Sequence, residues 1–375
     1  MKILLIDAYG LHRGFLGMYG NEWVPTPTLD LLAARGVVFD QHYVCRPRGP
    51  GEDSGSCAWT GRYQFCQAGA DAAAPSFPET LARHDIALVR TACHSLHEFP
   101  ATVKAALAKV KRSKHWLLWL DGPNLAPPWD IPEKCFAPFF PQDDEEADDP
   151  WPDPPRNLDE NDLPDRLRLQ DTYAAVIHYF DVQLGALLTR AALDDVVIVI
   201  TAQSGLPLGE HGSVGLPSPW MHDELWHVPF VLYVPESTQA GWRVPALTQA
   251  VDLWPTLLDL FEVEDEKGHG HSVLPLMRGE AERVRAYACG GCRVGSEEEW
   301  ALRTEEWSLL VPIATAGKNT MRAVRLYKKP EDRWEVNDLR QHYLEMSEGM
   351  EKTLRAFAQA VQGPGSLQPP PLDLE

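Results

Sequence analysis

The sequence contains no run of about 18 apolar residues, the length that a helix needs to cross a lipid bilayer. Its N-terminal apolar stretch extends only from Ile3 to Ile6 and ends at Asp7. A secretory signal has an apolar core of about 7–15 residues and a small-residue cleavage site, and neither is found here. We therefore expect a cytoplasmic protein without membrane-spanning segments.

Basic residues are few. Lys and Arg number 34 against 54 Asp and Glu, so the formal net charge of the 375-residue chain is −20. Binding to nucleic acid needs a basic surface, and docking on anionic lipid needs clusters of basic residues. The charge balance argues against both classes of partner. Hydrophobic residues make up 44% of the chain, which is enough for a full core.

The seven cysteines are odd in number and scattered along the chain, which is not the pattern of a disulfide framework. One pair, Cys289 and Cys292, has the CxxC spacing. Two ligands do not complete a tetrahedral zinc site, which needs four. We therefore expect these two cysteines to be packed thiols.

Several short apolar runs end abruptly in polar, small, Gly or Pro residues, as strands buried on both faces of a parallel sheet do. These runs are Lys2–Ile6, Trp116–Leu120, Val196–Ile200 and Val228–Val234. Helical patterns lie between them, at Leu29–Arg35 and at Asp171–Leu193. The sequence predicts a doubly wound α/β fold with a mostly parallel sheet between helices. Its ligand site is expected beyond the carboxyl ends of the strands.

The pattern changes near residue 281. We predict one α/β domain over residues 1–280, which includes an acidic surface loop at 142–165. Residues 281–362 are predicted to form a small antiparallel sheet and a helix at 342–362, and residues 363–375 a flexible Gly- and Pro-rich tail. The expected strands of the small sheet are Tyr287–Cys289, Trp300–Arg303, Ser308–Val311 and Arg322–Tyr327.

A series of short motifs resembles, in the same order and over nearly the whole chain, the motifs of the sulfatase family of the alkaline phosphatase superfamily. They are residues 16–20 (LGMYG), 26–39 (TPTLDLLAARGVVF), 60–63 (TGRY), 179–185 (YFDVQLG), 208–212 (LGEHG), 227–231 (HVPFV), 251–258 (VDLWPTLL) and 335–338 (EVND). Each motif alone is weakly specific. All of them in this order indicate the fold of that family.

The resemblance implies sulfuric ester hydrolysis assisted by a divalent cation, usually Ca²⁺. The implied ligands are two Asp after the first strand and an Asp followed by His or Asn in a later turn. The implied nucleophile is a formylglycine made from the Cys of a CxPxR motif. A hard cation needs several carboxylate oxygens, and it acts on the sulfate oxygens as a Lewis acid.

Most positions that the resemblance assigns to the cation are neutral in this chain. Asp7 is retained, but Ala8 stands in the place of its partner, and the later turn carries Gln203 and Ser204. We therefore predict that Asp7, Gln203 and Ser204 form a degenerate metal site, because calcium affinity follows the number of charged ligands. The alternative is that the protein still binds Ca²⁺ or another divalent cation as a cofactor.

The nucleophile motif also departs from the family pattern. Counting back from Thr60 by the family spacing places the Cys position at Gly51 and the Arg position at Gly55. The segment Cys45–Gly49 (CRPRG) is similar to CxPxR, but Gly49 replaces the required Arg and the segment lies six residues too far from Thr60. An insertion between the two segments would bridge this gap.

A different site can still be built from polar residues near the strand ends. The candidates for catalysis are Cys45, Arg48, Ser54, Arg62 and His211. The candidates for substrate binding are Arg48, Arg62, His211 and His222, of which the arginines would hold an oxyanion by forked hydrogen bonds. Glu52 and Asp53 would rebuild a metal site if they face Asp7. The alternative for His211 is a structural role.

Three classes of function follow. We predict a sulfatase-family protein with a degenerate site, catalytically silent or very slow, which binds a small sulfate or phosphate ester or a protein partner in the old substrate cleft. The first alternative is an active sulfuric or phosphoric ester hydrolase with a rebuilt metal site or relocated nucleophile. It requires several carboxylate or His groups converging on Asp7. The second alternative is a structural scaffold, with a filled cleft and a large exposed apolar patch.

Overall fold

The computed structural model describes residues 1–48, 57–64, 77–140, 149–159, 161–191, 193, 195–264, 268–313, 322–363 and 367–372. The strands in these ranges are β1 Lys2–Tyr9, β2 Val37–Tyr43, β3 Ala87–Ala92, β4 Trp116–Asn124, β5 Val197–Ser204, β6 Phe230–Tyr233, β7 Trp242–Gln249, β8 Ala288–Val294, β9 Glu297–Arg303, β10 Trp307–Ile313 and β11 Arg325–Lys328.

The helices of the same ranges flank these strands. The α-helices are α1 Pro27–Arg35, α2 Cys57–Thr60, α3 Phe77–Arg83, α4 Phe99–Val110, α5 Leu163–Ala191, α6 Asp223–Trp226, α7 Leu253–Leu260, α8 Leu274–Met277 and α9 Leu344–Ala360. The 3₁₀ helices are Arg13–Phe15, Gly17–Tyr19, Glu133–Cys135 and Ala250–Asp252.

The large sheet has the strand order β3-β4-β1-β5-β6-β2-β7. Neighbouring strands run parallel except for β6, which is antiparallel to both β5 and β2. The central strands β1, β4 and β5 are formed mostly by buried apolar residues, with polar residues at their carboxyl ends, as a sheet covered by helices on both faces requires. The predicted mostly parallel α/β fold is confirmed.

The strands that the sequence did not indicate are those without a continuous apolar run. β3 lies at the edge of the sheet and is only half-buried. β7 starts with exposed residues at the opposite edge, and β2 carries polar residues in its middle. Strands of this kind alternate or lie half-exposed, so a search for continuous apolar runs misses them.

The C-terminal region forms a separate sheet with the order β11-β10-β9-β8, in which every pair is antiparallel. Helix α9 packs on β9 and β10. The four predicted strands and the predicted helix are confirmed within a few residues. The division into domains at residue 281 stays a prediction. Helix α5 begins at Leu163, inside the predicted acidic loop 142–165, of which residues 142–148 and 160 lie outside the described residues.

Buried ion pairs join the small sheet to the large one. The Nζ of Lys329, a residue just after β11, lies 2.8 Å from the Asp223 carboxylate and 3.1 Å from the Glu335 carboxylate. Lys329 and Glu335 are almost completely buried. The two carboxylates hold the pKa of the Lys329 ammonium above its usual range despite its burial. Because the Glu335 carboxylate is almost completely buried and the Asp223 carboxylate is half-buried, Glu335 in particular depends on this ammonium.

We predict that Lys329→Met lowers the free energy of unfolding by about 3 kcal/mol, because it leaves the buried Glu335 and the half-buried Asp223 without their ammonium partner. Urea denaturation at neutral pH measures the loss. Lys328→Met is the matched control, since Lys328 pairs with the largely exposed Glu306 and should lose no more than about 1 kcal/mol. Equal losses in the two variants would contradict the structural role of Lys329.

Candidate functional site

The strand ends place two carboxylates side by side. In the parallel ladders, Asp7 of β1 is the register partner of Asp121 in β4 and of Thr201 in β5. Register partners in parallel strands point to the same face, with the strands about 4.8 Å apart. Asp7 is buried, whereas Asp121 is half-buried. The candidate site is therefore built on the carboxyl ends of the central strands, as the sequence predicts.

An irregularity at the end of β5 adds an amide to this pair. The register between β1 and β5 shifts so that Ala8 faces Ala202 but Tyr9 faces Ser204, which leaves Gln203 as the extra residue. Gln203 Nε2 lies 3.3 Å from Asp121 Oδ1 and 3.5 Å from the carbonyl oxygen of Asp7. The Gln203 amide nitrogen therefore donates hydrogen bonds to oxygens of Asp7 and Asp121.

A guanidinium group from the edge strand β3 completes the arrangement. Arg90 Nε donates to Asp121 Oδ2 at 2.6 Å, and Nη2 donates to Oδ1 at 2.9 Å. The guanidinium also lies 4.1 Å above the ring of Trp59 and 5.9 Å from that of Trp119. Forked pairing to one carboxylate and stacking on indole rings both favour Arg over Lys at this position.

Burial and the nearby charge of Asp121 raise the pKa of Asp7 well above its usual range, and the charges of Arg90 and Arg48 only partly oppose this. The raised pKa favours the protonated, neutral form of Asp7. The strand ends therefore contain one carboxylate paired with a guanidinium and one carboxyl group that resists ionisation.

A small cavity of about 20 Å³ opens beside Asp7. Its polar lining comes from Asp7, Gln203, Cys45, Arg46, Arg48 and Cys57. A water molecule needs at least about 10–15 Å³ of such space, so the cavity has room for about one water. Arg48 is buried here, and its Nη2 donates to Gln64 Oε1 at 3.0 Å.

These residues do not fit the divalent cation that the resemblance implies. Both oxygens of Asp121 accept hydrogen bonds from Arg90, and the raised pKa of Asp7 disfavours its anion. Ser204 Oγ is buried without a hydrogen-bond partner among the described residues. In the part of the chain that the structure describes, the residues that could supply three ligands to one ion are His211, His222 and Glu224, a set that does not include Asp7.

His211 and His222 lie in a second cluster, and neither lines the Asp7 cavity. Their rings are stacked with centroids 3.8 Å apart. His222 Nε2 accepts from Arg325 Nη1 at 2.9 Å, so Nδ1 carries the proton that is donated to Glu335 Oε2 at 2.7 Å. His211 Nε2 lies 3.7 Å from Glu224 Oε1.

This second cluster is unsuited to a metal ion. An ion lies close to the plane of each imidazole that binds it, and one ion cannot do so for two stacked rings. Both nitrogens of His222 are also engaged. Interaction with Glu224 raises the pKa of His211 although burial opposes it, whereas burial lowers the pKa of His222 to about 4. The cluster acts as a buried charge network instead.

The remaining candidates are placed apart from the Asp7 cavity or lie outside the described residues. Arg62 directs Nη1 toward His269 Nε2 at 3.4 Å. Ser54, Glu52 and Asp53 lie outside the described residues. The structure therefore brings together Asp7, Gln203, Cys45 and Arg48 from the predicted set.

Sequence reasoning missed Arg90. It noted Asp121 after a strand run and Cys57 among the residues near the strand ends, but it selected neither as a candidate site residue. Asp121 directly follows a predicted strand run, so its position was a usable signal. Arg90 lies in the edge strand that no apolar run marks, and Cys57 belongs to no motif that requires cysteine. Contacts between distant segments of the chain placed both of these residues.

The strand order and the second sheet define a mostly parallel α/β protein with a separate antiparallel sheet, and comparison with known proteins shows what it is similar to. Residues 105–263 match the sulfatase family model. The chain is 32% identical over 113 residues to N-acetylglucosamine-6-O-sulfatase of Bacteroides thetaiotaomicron, which covers 29% of this chain and 20% of that protein. It is 28% identical over 183 residues to arylsulfatase K of Danio rerio. That alignment covers 46% of this chain and 33% of that protein. These matches support membership of the sulfatase family, with the family model covering residues 105–263.

The alignments thus span a fifth and a third of the two curated relatives. Solved structures match over almost the full chain, with low identity, and support the fold. The phosphonate monoester hydrolase of Agrobacterium radiobacter has a TM-score of 0.74 at 18% identity, covering 96% of both chains. A protein solved with its substrate D-glucosamine-2-N,6-O-disulfate has a TM-score of 0.75 at 16% identity, covering 96% of this chain and 98% of that one.

A search of the described residues for membrane spans finds no helix with the length and apolar character to cross a bilayer. This agrees with the sequence expectation on that one point.

We predict that the free energy of unfolding falls as the pH is lowered from about 6.5 to about 4. His222 has a pKa of about 4 in the folded protein and about 6.5 when exposed, so the unfolded chain binds the proton first over this interval. The contribution of His222 is fully present above pH 6.5 and is lost as the pH approaches 4. It amounts to at most about 3 kcal/mol, at about 1.4 kcal/mol per pKa unit.

Urea denaturation at several pH values measures this slope in the wild type and in His222→Gln, which should show a shallower slope. His94→Gln is the control, because His94 is exposed and the substitution should leave the slope unchanged. If His222→Gln keeps the slope of the wild type, another group accounts for the loss of stability.

Proposed function

We propose that this sulfatase-family protein does not catalyse metal-assisted ester hydrolysis and instead binds a small sulfate or phosphate ester at the old substrate cleft. One observation carries the proposal. The forked ion pair from Arg90 to both oxygens of Asp121 supplies a fixed positive charge at the strand ends, beside Asp7. A divalent cation would have to displace this guanidinium to reach the carboxylate.

The charge of the cavity wall supports anion binding. Arg46 and Arg48 line the cavity, and guanidinium groups recognise sulfate and phosphate oxygens by forked, charge-assisted hydrogen bonds. Because the cavity holds about one water, we place the ester at its mouth, with the sulfate group directed toward the two arginines. Sulfated amino sugars are the first ligands to test, since one curated relative is an N-acetylglucosamine-6-O-sulfatase.

The small volume of the cavity also favours a second candidate, the structural scaffold, for which a filled cleft was predicted. The cytoplasmic location and the absence of nucleic-acid and membrane partners remain parts of the proposal. They rest on the composition alone.

We predict that protein purified without chelator contains no stoichiometric divalent metal and that millimolar Ca²⁺ leaves its melting temperature unchanged. Arg90→Ala should melt at a lower temperature in chelator, because it leaves the Asp121 carboxylate unpaired beside Asp7. Ca²⁺ should then stabilise this variant more than the wild type. Metal analysis by mass spectrometry and thermal denaturation measure both effects.

Arg83→Ala is the control, since Arg83 is an exposed residue of α3 and should give no calcium response. About one metal ion per wild-type chain, lost in Asp7→Ala and accompanied by hydrolysis of a chromogenic sulfate ester, would overturn the proposal. That result would establish the active hydrolase with a rebuilt site.

We predict that N-acetylglucosamine 6-sulfate or inorganic sulfate stabilises the wild type against thermal denaturation. Arg48→Gln should weaken the binding about tenfold, because it removes a charge-assisted hydrogen bond. Arg62→Gln is the matched control, since Arg62 turns to His269 and should leave the affinity unchanged. If neither ligand binds the wild type, the scaffold replaces the binding protein as the conclusion.

A further inference from the structure

Two thiols from distant segments meet at the Asp7 cavity. Cys45 follows β2, and Cys57 begins α2. Both are almost fully buried, both are free thiols, and both line the cavity. Each thiol influences the pKa of the other, which requires the two side chains to lie close together in this cavity. The two sulfurs are therefore adjacent although eleven residues separate them in the sequence.

The backbone holds each thiol in place. The carbonyl oxygen of Cys45 accepts from Gly291 N at 3.0 Å, which ties it to the second sheet. The carbonyl oxygen of Cys57 accepts from Gly61 N at 2.9 Å. Gln249 Nε2 lies 3.8 Å from Cys45 Sγ and donates to it. The pair is thus preorganised.

The surroundings of the two thiols shift their pKa values in opposite directions. Burial raises the pKa of Cys45, and donation of its hydrogen to Cys57 raises it further. Burial also disfavours the Cys57 thiolate, but hydrogen bonds from Cys45 and from the backbone of Gln64, together with the charges of Arg48 and Arg46, lower its pKa overall. A cysteine of lowered pKa beside a second thiol is the arrangement of a peroxide-sensitive cysteine and its resolving partner.

We propose that Cys57 and Cys45 form a redox pair that hydrogen peroxide converts to a disulfide. The cavity suits an oxidant close to water in size and is too small for a glutathione molecule. The inference is independent of the ester that the protein binds.

The reaction balances in two steps. The Cys57 thiolate attacks one peroxide oxygen, so that an S–O bond forms, the O–O bond breaks, and the departing hydroxide takes a proton to become water. The Cys45 sulfur then attacks the sulfenic sulfur of Cys57, so that the S–S bond forms and the S–O bond breaks. The second water leaves with the proton of Cys45, and the two thiols are oxidised as one peroxide is reduced.

The CxxC pair of the sequence does not offer an equivalent. Cys289 and Cys292 both lie in strand β8, three positions apart, so their side chains point to opposite faces of the sheet. Burial raises the pKa of Cys289 well above its usual range. The reactive pair is therefore defined by the fold, and the expected packed thiols of β8 are unsuited to it.

Treatment of the intact wild type with one equivalent of hydrogen peroxide, followed by peptide mapping without reductant, tests the proposal. We expect a Cys45–Cys57 disulfide, reversed by dithiothreitol, and little reaction with oxidised glutathione. A Cys57 linked to another cysteine such as Cys66, or a Cys45–Cys57 pair that stays reduced under these conditions, would overturn it.

Single variants separate the roles of the two sulfurs. In Cys45→Ser the sulfenic acid of Cys57 should persist and be trapped by dimedone, because the resolving thiol is gone. In Cys57→Ser, Cys45 should resist oxidation. Cys93→Ser is the control, since Cys93 donates to the Ser95 carbonyl oxygen and should leave the disulfide yield unchanged. Trapping at Cys45 with Cys57 unreactive would contradict the assignment.

Discussion

The ion pair between Arg90 and Asp121 determines what the strand ends of this protein can do. Parallel register places Asp121 beside Asp7, and neighbouring carboxylates repel each other when both are ionised. The guanidinium of Arg90 provides a positive charge there through two hydrogen bonds, at 2.6 and 2.9 Å, while Trp59 supports its other face. The chain itself thus supplies a positive charge at the strand ends.

Other properties of the site agree with a positive charge that the Arg90 side chain supplies in place of a bound metal ion. Gln203 directs its amide hydrogens to the acceptors of this edge, and a divalent ion would require oxygens there instead. Burial and the charge of Asp121 raise the pKa of Asp7, and the guanidinium of Arg90, already paired with Asp121, opposes this only in part. The cavity that remains has room for about one water and is lined by arginines and thiols. Anion binding and thiol chemistry suit these groups better than Lewis-acid catalysis.

The sequence predicted those parts of the fold and site that leave a signal within a short stretch of the chain. Buried central strands such as β1, β4 and β5 carry continuous apolar runs, and they were predicted together with the small antiparallel sheet. The edge strand β3 has no such run, so the sequence did not predict that its residue Arg90 belongs to the site. Likewise, Asp7 and Gln203 were predicted as site residues because they follow apolar runs. The proximity of Cys45 to Cys57 depends on contacts between distant segments, which the spacing of cysteines in the sequence does not indicate.

A crystal structure of the protein grown with millimolar calcium tests the central claim most directly. The account predicts that both oxygens of Asp121 remain bonded to Arg90 and that anomalous scattering shows no calcium between Asp7 and Asp121. A calcium ion coordinated by these two carboxylates, with the Arg90 side chain displaced, would contradict it.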